Sequence, residues 1–162
     1  MNPATLSDPR WFWSYFVVLW CAVGAILSLV GGWYHLASAF PVSASGTADG
    51  PRFRFASGSV GVRWLPVSYR SVLFCTVSSS GLQLSVLPLF RFMHPPMFIP
   101  WSAVESADRE RWWLMTVMAL SLRSTSRQVR LVGKAGTAAF EAYERHRLLA
   151  GDALTPRSAP DR

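Results

Sequence analysis

The side chains that carry most enzymatic chemistry are few and scattered in this sequence. Its three histidines, His35, His94 and His146, lie far apart. Neither Cys21 nor Cys75 lies at ligand spacing from a histidine or from the other cysteine, as a zinc site would require. No G-x-S-x-G nucleophile motif and no phosphate-binding P-loop motif occurs. The sequence therefore predicts no catalytic residue, no metal site and no cofactor.

Three carboxylates come closest to a pair that could do general acid–base chemistry. Glu105, Asp108 and Glu110 share one stretch with Arg109 and Arg111. A solvated, charge-balanced loop explains this pattern better than a catalytic pair does. We therefore expect a non-catalytic binding or scaffold module, and a membrane-associated hydrolase of unknown substrate is the alternative.

The most unusual local sequence is His94-Pro95-Pro96, which follows Arg91 within residues 87–96. A rigid Pro-Pro loop can present His94 and Arg91 to an anionic group, or it can simply fix a loop between strands. Prolines donate no ladder hydrogen bonds, so a neighbouring sheet edge should stay partly unpaired and open to an added peptide strand. We predict that protein partners bind this segment through Phe90, Arg91, Phe92, Met93 and His94.

One apolar stretch determines where the rest of the chain is located. Residues 11–33 contain no charged side chain, and about 23 helical residues span roughly 34 Å, enough for a hydrocarbon core of about 30 Å. Aromatic side chains cluster near both ends, as they do at membrane interfaces. The stretch therefore predicts a transmembrane helix over 11–34. A cleaved signal peptide is the alternative, although its apolar core would be unusually long.

Charge and cysteine usage bear on orientation. The formal net charge is +7, and the whole excess follows the apolar stretch. Cys75 has no sequence partner for a disulfide, which favours a reducing compartment. We expect a single-pass membrane protein with its soluble domain in the cytoplasm. The reverse orientation is the alternative.

Small residues recur along one face of the predicted transmembrane helix. Gly24, Ser28 and Gly32 are spaced by four, which would let two helix backbones approach closely. This predicts a homodimer face, although transmembrane helices are in any case rich in small residues.

The remaining chain predicts one small domain. We expect a disordered leader over 1–10, a mobile linker over 35–50, a β domain over 51–150 and a disordered tail over 151–162. Alternating apolar and polar residues predict six to seven antiparallel strands. A helical pattern over 137–150 begins at Thr137 and stops at Gly151. The fold class is thus mainly β, an antiparallel barrel or sandwich capped by a C-terminal helix with a buried Phe140 and Tyr143 face.

A basic edge surrounds the last predicted hairpin. A tethered domain can reach anionic membrane lipid with such an edge, and an ordinary solvated rim is the alternative. We expect no nucleic-acid partner, because the nearby Trp112 and Trp113 look like core rather than base-stacking residues. The basic residues are Arg123, Arg127, Arg130 and Lys134.

Two sequence blocks carry a resemblance to a known family. Gly81-Leu82-Gln83-Leu84-Ser85, followed by Ile99-Pro100-Trp101-Ser102-Ala103-Val104, resembles the "gLxLs … IPWxxI" block of pleckstrin-homology-like (PH-like) and GRAM-like bacterial domains. Residues 90–101 also resemble a block in small bacterial membrane proteins with one N-terminal span and no known activity. The resemblance implies a PH-like fold for the domain, a binding role rather than catalysis, and a place in the bacterial inner (plasma) membrane.

Overall fold

The computed structural model describes residues 9–42, 49–62, 65–112, 115–123 and 125–154. Most of the predicted leader, the middle of the predicted linker and the end of the predicted tail lie outside these residues. In chain order the elements are α1 (Pro9–Val30), α2 (Trp33–Ala39), β1 (Arg52–Val62), β2 (Leu65–Val77), β3 (Gly81–Val86), β4 (Met97–Pro100), β5 (Val104–Trp112), β6 (Met115–Leu122), β7 (Arg127–Val132) and α3 (Lys134–Leu154). Short 3₁₀ helices, Pro88–Phe90 and Trp101–Ala103, flank β4.

The seven strands form one antiparallel sheet that curls into a half-barrel. Their order is β4-β3-β2-β1-β7-β6-β5. The first strand is central, because β1 pairs with β2 on one side and with β7 on the other. The sheet confirms the prediction of a mainly antiparallel β domain with a C-terminal helix.

The curl of the sheet begins at irregularities in β1. Its register with β2 shifts between Phe53 and Ala56 and again between Ala56 and Gly58, and bulges of this kind bend and twist a strand. A Cβ at Gly58 would lie 2.4 Å from the carbonyl oxygen of Arg130, so only glycine lets β7 approach here. The irregularity around Gly58 is thus a bulge within one continuous strand.

Strand β5 corrects the sequence prediction. The stretch expected to be a charged loop is a strand that pairs with β6 from Val104 to Trp112. Asp108, Arg109 and Glu110 are exposed there. Charged side chains are common on edge strands, where they discourage pairing with other chains. They also interrupt the alternation of apolar and polar residues from which a strand is predicted.

Helix α3 packs across the half-barrel but is longer than predicted. It begins at Lys134, after Gly133 with φ +70°, and it continues past Gly151. Ala135, Ala139 and Tyr143 are buried, and the Tyr143 ring meets Trp101 at 6.2 Å between centroids. Phe140 is only half-buried. The apolar face that covers the sheet is therefore centred on small residues and Tyr143.

Helix α2 occupies part of the predicted linker. Trp33, Leu36 and Ala37 are buried in the same core as the sheet, and the N–H of Phe98 donates to the carbonyl of Phe40 at 2.9 Å. Apolar residues at spacings of three and four form a helix face, but the small residues around them mask it. The chain is thus fixed to the domain through residue 40.

Helix α1 is almost entirely exposed. Within the described residues it is the one helix long and apolar enough to cross a membrane, over Trp11–Val30. It ends at Val30, Gly31 and Gly32 follow directly, and α2 begins at the next residue, Trp33. The α1 helix is therefore joined to the domain by two glycines.

Candidate functional site

The candidate site lies where α1 meets the domain, and two glycines allow the contact. A Cβ at Gly31 would lie 2.7 Å from Cγ2 of Val67 in β2, and one at Gly32 would lie 2.0 Å from Nε of Arg127 in β7. Gly32 also has φ +74°, a conformation that costs a non-glycine residue free energy. Both positions therefore require glycine, and they dock the end of α1 directly against the sheet.

The predicted dimer face turns toward the chain's own domain. The Ser28 side chain is fully buried, and its hydroxyl donates to the carbonyl of Met93. The Arg127 side chain lies over Gly32. Gly24 lines a cleft between α1 and the sheet. Within the chain, Ser28 and Gly32 therefore approach the β domain closely, and self-association through this face stays a prediction.

An aromatic cluster fixes the junction from inside. The Trp33 ring lies 5.1 Å from the Tyr69 ring and 5.6 Å from the His94 ring, between centroids. The Trp33 indole N–H donates to the carbonyl of Pro95 at 2.8 Å. This contact joins α2 to the Pro-Pro segment, so the two prolines help to anchor the helix.

His94 is an interior residue and not a surface contact. It is 4% exposed, and its Nδ1 lies 2.9 Å from the carbonyl of Phe92. Because a carbonyl only accepts, Nδ1 carries the proton and Nε2 accepts from the Tyr69 hydroxyl at 3.1 Å. Burial lowers the pKa of His94, and the bond to Phe92 opposes this in part. Burial also raises the pKa of Tyr69.

The rest of the predicted partner segment lies beside α1. The Phe90 ring meets Trp20 at 5.1 Å between centroids, so the segment reaches back along the apolar helix. Arg91 is exposed, and Phe92 is 56% exposed. Met93 is half-buried and has φ +59°. The five predicted residues therefore divide between the surface, the α1 contact and the core.

An apolar cleft of about 280 Å³ separates α1 from the sheet; it is called the α1 cleft below. One wall belongs to α1 and the other to β2, β3 and the segment after β3. A Cβ at Gly24 would meet nothing within 4 Å, so the cleft has room at this position. The lining residues are Trp20, Val23, Gly24, Leu27, Val67, Ser68, Tyr69, Arg70, Val72, Val86, Leu89, Phe90, Phe92 and His94.

A second cleft of about 330 Å³ lies beside α3; it is called the α3 cleft. Glu141, Arg145 and His146 line it from the helix, and Asp49 lines it from the chain that leads into β1. Its position over Ser78 places it beyond the C-terminal end of β2. The two clefts are thus separate, and each lies beside a different helix.

The predicted basic edge does not form one surface. Arg127 is half-buried over Gly32, at the C-terminal end of α1, where a cation also complements the helix dipole. Arg130 contacts Gln128 on the outer face of β7. Arg123 and Lys134 are exposed. The four residues are therefore near the last hairpin, but their environments differ.

Several residues of this site were not predicted from sequence. Trp20, Tyr69 and Arg70 line the α1 cleft, and Trp33 had been assigned only to an interfacial belt. An apolar residue in a span or a strand gives no local sign that it borders a cleft.

Within the part of the chain that the structure describes, no three histidine, cysteine or acidic side chains cluster as metal ligands would. Comparison of the sequence with protein-family models gives no match. Comparison with curated proteins gives none either.

Proposed function

We propose that this protein is a membrane-anchored, non-catalytic binding module. In this proposal α1 crosses the bacterial inner membrane, and the β domain is held against the cytoplasmic surface. There it presents a PH-like domain to anionic lipid headgroups and to envelope proteins.

The observation that carries the proposal is the direct attachment of an exposed apolar helix to a folded domain. Trp11, Phe12, Trp13 and Tyr15 are each more than 60% exposed. Exposed apolar area costs about 25 cal/mol per Å² in water, and a patch of this size is typical of a membrane or protein contact. Hydrocarbon removes this cost along the whole helix.

Two further features support a PH-like module. Strands β1 to β7 follow one another as an antiparallel meander in two halves joined through β1, and one helix follows the last strand. This agrees with the family resemblance of the two sequence blocks. Arg127, placed at the end of α1, would lie at headgroup depth, where each cation contributes about 1 kcal/mol of attraction to anionic lipid.

Membrane integration is tested by alkaline carbonate extraction followed by flotation of the full chain. We expect the protein to stay with the floated membranes. Release into the soluble fraction would contradict the anchoring role of α1.

Orientation is tested with an introduced cysteine and a membrane-impermeant thiol reagent. Cys75 is fully buried, and burial raises its pKa to about 12, so it will not react and its reduced state does not report the compartment. A Cys21→Ala chain with Ser102→Cys, an exposed position, should label only after the cells are permeabilised. Labelling of intact cells would place the domain outside.

Headgroup binding is tested by reversing exposed charges. Arg123→Glu with Lys134→Glu should weaken binding of the chain in detergent micelles to anionic vesicles by about tenfold or more, from about 1 kcal/mol per charge. Arg145→Glu with Arg147→Glu makes the same change of net charge on α3 and is the control. Equal loss in both variants would indicate a general charge effect instead.

A further inference from the structure

We infer that α1 swings away from the β domain about a hinge at Gly31 and Gly32 when it crosses the membrane. The arrangement in which α1 lies beside β2, called the docked arrangement, then belongs to the chain outside the bilayer. This inference rests on the proposed crossing of the membrane by α1. It goes further, because it assigns the contact between α1 and the sheet to one of two arrangements and names the hinge between them.

The position of the contacts along α1 shows that the docked arrangement conflicts with a crossing of the membrane. The span Trp11–Val30 has 20 residues, which is about 30 Å of helix and matches a hydrocarbon core of about 30 Å. Trp20 lies ten residues before Val30, about 15 Å along the helix axis, and so near the middle of the bilayer. The Phe90 ring lies 5.1 Å from the Trp20 ring between centroids. A crossing α1 that stayed docked would therefore carry Phe90 to the same depth.

The segment around Phe90 is chemically unsuited to hydrocarbon. Residues 91–96 form no helix or strand, and irregular backbone exposed to lipid has polar groups that no water can satisfy. Arg91 follows Phe90 directly and is exposed, and Arg70 on β2 is exposed beside the α1 cleft. A charged side chain deep in a bilayer is costly. The docked arrangement and the crossing of the membrane therefore exclude each other.

Gly31 and Gly32 provide the hinge. Helix α1 ends at Val30, and α2 begins at Trp33, whose side chain is fully buried in the domain core. Gly32 has φ +74°, and glycine exchanges this conformation for others at little cost. Rotation about these two glycines moves α1 and leaves the buried Trp33 in place.

The packing of α1 before the hinge is loose. Within residues 11–30, Ser28 is the one buried residue, and a cleft of about 280 Å³ separates the helix from the sheet. Side chains on opposite walls of a cleft lack the attractive contacts of a packed interface. After the swing, the Ser28 hydroxyl can exchange its bond to the Met93 carbonyl for one to the backbone carbonyl four residues earlier. Few contacts therefore hold α1 in the docked arrangement.

The distance between two spin labels tests the swing in the full chain, reconstituted in vesicles of phosphatidylethanolamine and phosphatidylglycerol. A Cys21→Ala chain carries the labels at Val23→Cys and Leu89→Cys, two exposed positions on opposite walls of the α1 cleft. Val23 lies eight residues before Gly31, about 12 Å along the helix, so a swing through a right angle displaces it by about 17 Å. We expect the mean distance to exceed that of the docked arrangement by roughly 10 Å or more.

Ser38→Cys with Leu89→Cys, in the same Cys21→Ala chain, is the matched control. Ser38 is exposed on α2, and α2 is fixed in the domain core, so this distance should equal that of the docked arrangement in the same vesicles. An unchanged distance between Val23→Cys and Leu89→Cys would overturn the inference. A change in both distances would show that the segment after β3 had moved instead of α1, and it would also overturn the inference.

A short cleavable crosslink between Val23→Cys and Leu89→Cys gives a second readout. The crosslinked fraction is isolated in detergent and then reconstituted. It should lose resistance to carbonate extraction, because α1 cannot leave the domain. Cleavage of the crosslink by a reductant before reconstitution should restore the resistance. Equal resistance of the crosslinked and the cleaved chains would mean that docking and crossing are compatible, which contradicts the inference.

Carbonate extraction of the wild-type chain from the same vesicles distinguishes the two failures. If the wild-type chain is released, α1 does not anchor it, and both the proposed function and the swing fail. If it stays integral and the label distance is that of the docked arrangement, only the swing fails.

Discussion

The α1 cleft and the α3 cleft are similar in size, and the α3 cleft is the more polar of the two. Their volumes are about 280 Å³ and about 330 Å³. The helix wall of the first cleft consists of Trp20, Val23, Gly24 and Leu27, whereas Glu141, Arg145 and His146 contribute to the second. Each cleft takes its character from the helix beside it, and the sheet supplies apolar residues to both.

Because the two clefts have similar volumes, the difference between them lies in the polarity of their linings. A cleft lined by charged side chains on an amphipathic helix is filled by water at no great cost. A cleft lined by the residues of an apolar, exposed helix is not. The α1 cleft is therefore the less favourable of the two for water.

Both helices reach the sheet through glycine, and the α3 contact should be the less tolerant one. A Cβ at Gly136 would lie 2.6 Å from the carbonyl oxygen of Leu131, which is backbone and cannot rotate away. Gly136→Val should lower the free energy of unfolding by about 3 kcal/mol, the upper range for overpacking. Chemical denaturation in detergent measures it. Gly151→Ala, which meets nothing within 4 Å, is the control. If Gly136→Val lowers the free energy of unfolding less than Gly32→Val does, the α1 contact is the less tolerant one.

The α1 contact should tolerate a side chain better, because its neighbour can move. Gly32→Val must adopt φ +74° and displace the Arg127 side chain. Left-handed strain of this kind costs about 1–3 kcal/mol, so we expect a loss of about 2 kcal/mol. It should be accompanied by faster proteolysis between α1 and the domain. Unchanged proteolysis would show that Gly32 does not hold α1 in place.

The aromatic cluster should make the α1 side sensitive to pH. Because burial holds the pKa of folded His94 below its unfolded value of about 6.5, the unfolded chain binds the proton more tightly. The stability from neutral His94 is therefore complete above about pH 6.5 and is lost as the pH falls toward the folded pKa.

His94→Gln tests this dependence. It should cost about 1–2 kcal/mol at pH 7.5 by leaving buried partners unsatisfied, and it should reduce the fall in stability between pH 7.5 and pH 5. Unfolding curves at several pH values measure both effects. His146→Gln, a substitution in the α3 cleft that leaves the aromatic cluster intact, is the control. An identical profile in His94→Gln would mean that His94 does not titrate over this range.

The smallest expected effect is at Ser28. Ser28→Ala removes the bond to the Met93 carbonyl and should cost about 1 kcal/mol, the net contribution of one hydrogen bond. Ser38→Ala, which removes an exposed bond to the Tyr34 carbonyl, is the matched control and should cost less. If Ser28→Ala and Ser38→Ala lower the free energy of unfolding equally, burial does not strengthen the bond between Ser28 and Met93.

The candidate site was only partly predictable from sequence. The span, the segment after β3 and the small residues of α1 were each singled out, and all three meet at the junction. Their roles differ from the predicted ones. Ser28 and Gly32 contact the chain's own domain, and His94 is buried among aromatic rings instead of facing a partner.

Local periodicity determined what the sequence revealed. An unbroken apolar run predicts a helix that can cross a membrane, and alternation predicts strands that share one core. These patterns arise from residues a few positions apart, so they are visible in the chain itself. The strand β5 was missed because charges on an edge strand interrupt that alternation.

The tertiary structure alone decided how the span and the domain fit together. Trp33 bonds to the carbonyl of Pro95, 62 positions away, and Ser28 bonds to that of Met93, 65 positions away. Such contacts depend on how the sheet curls and on where two glycines let α1 approach it. No local pattern encodes that geometry, because the residues next to Trp33 or Ser28 in the sequence carry no information about a contact partner far along the chain.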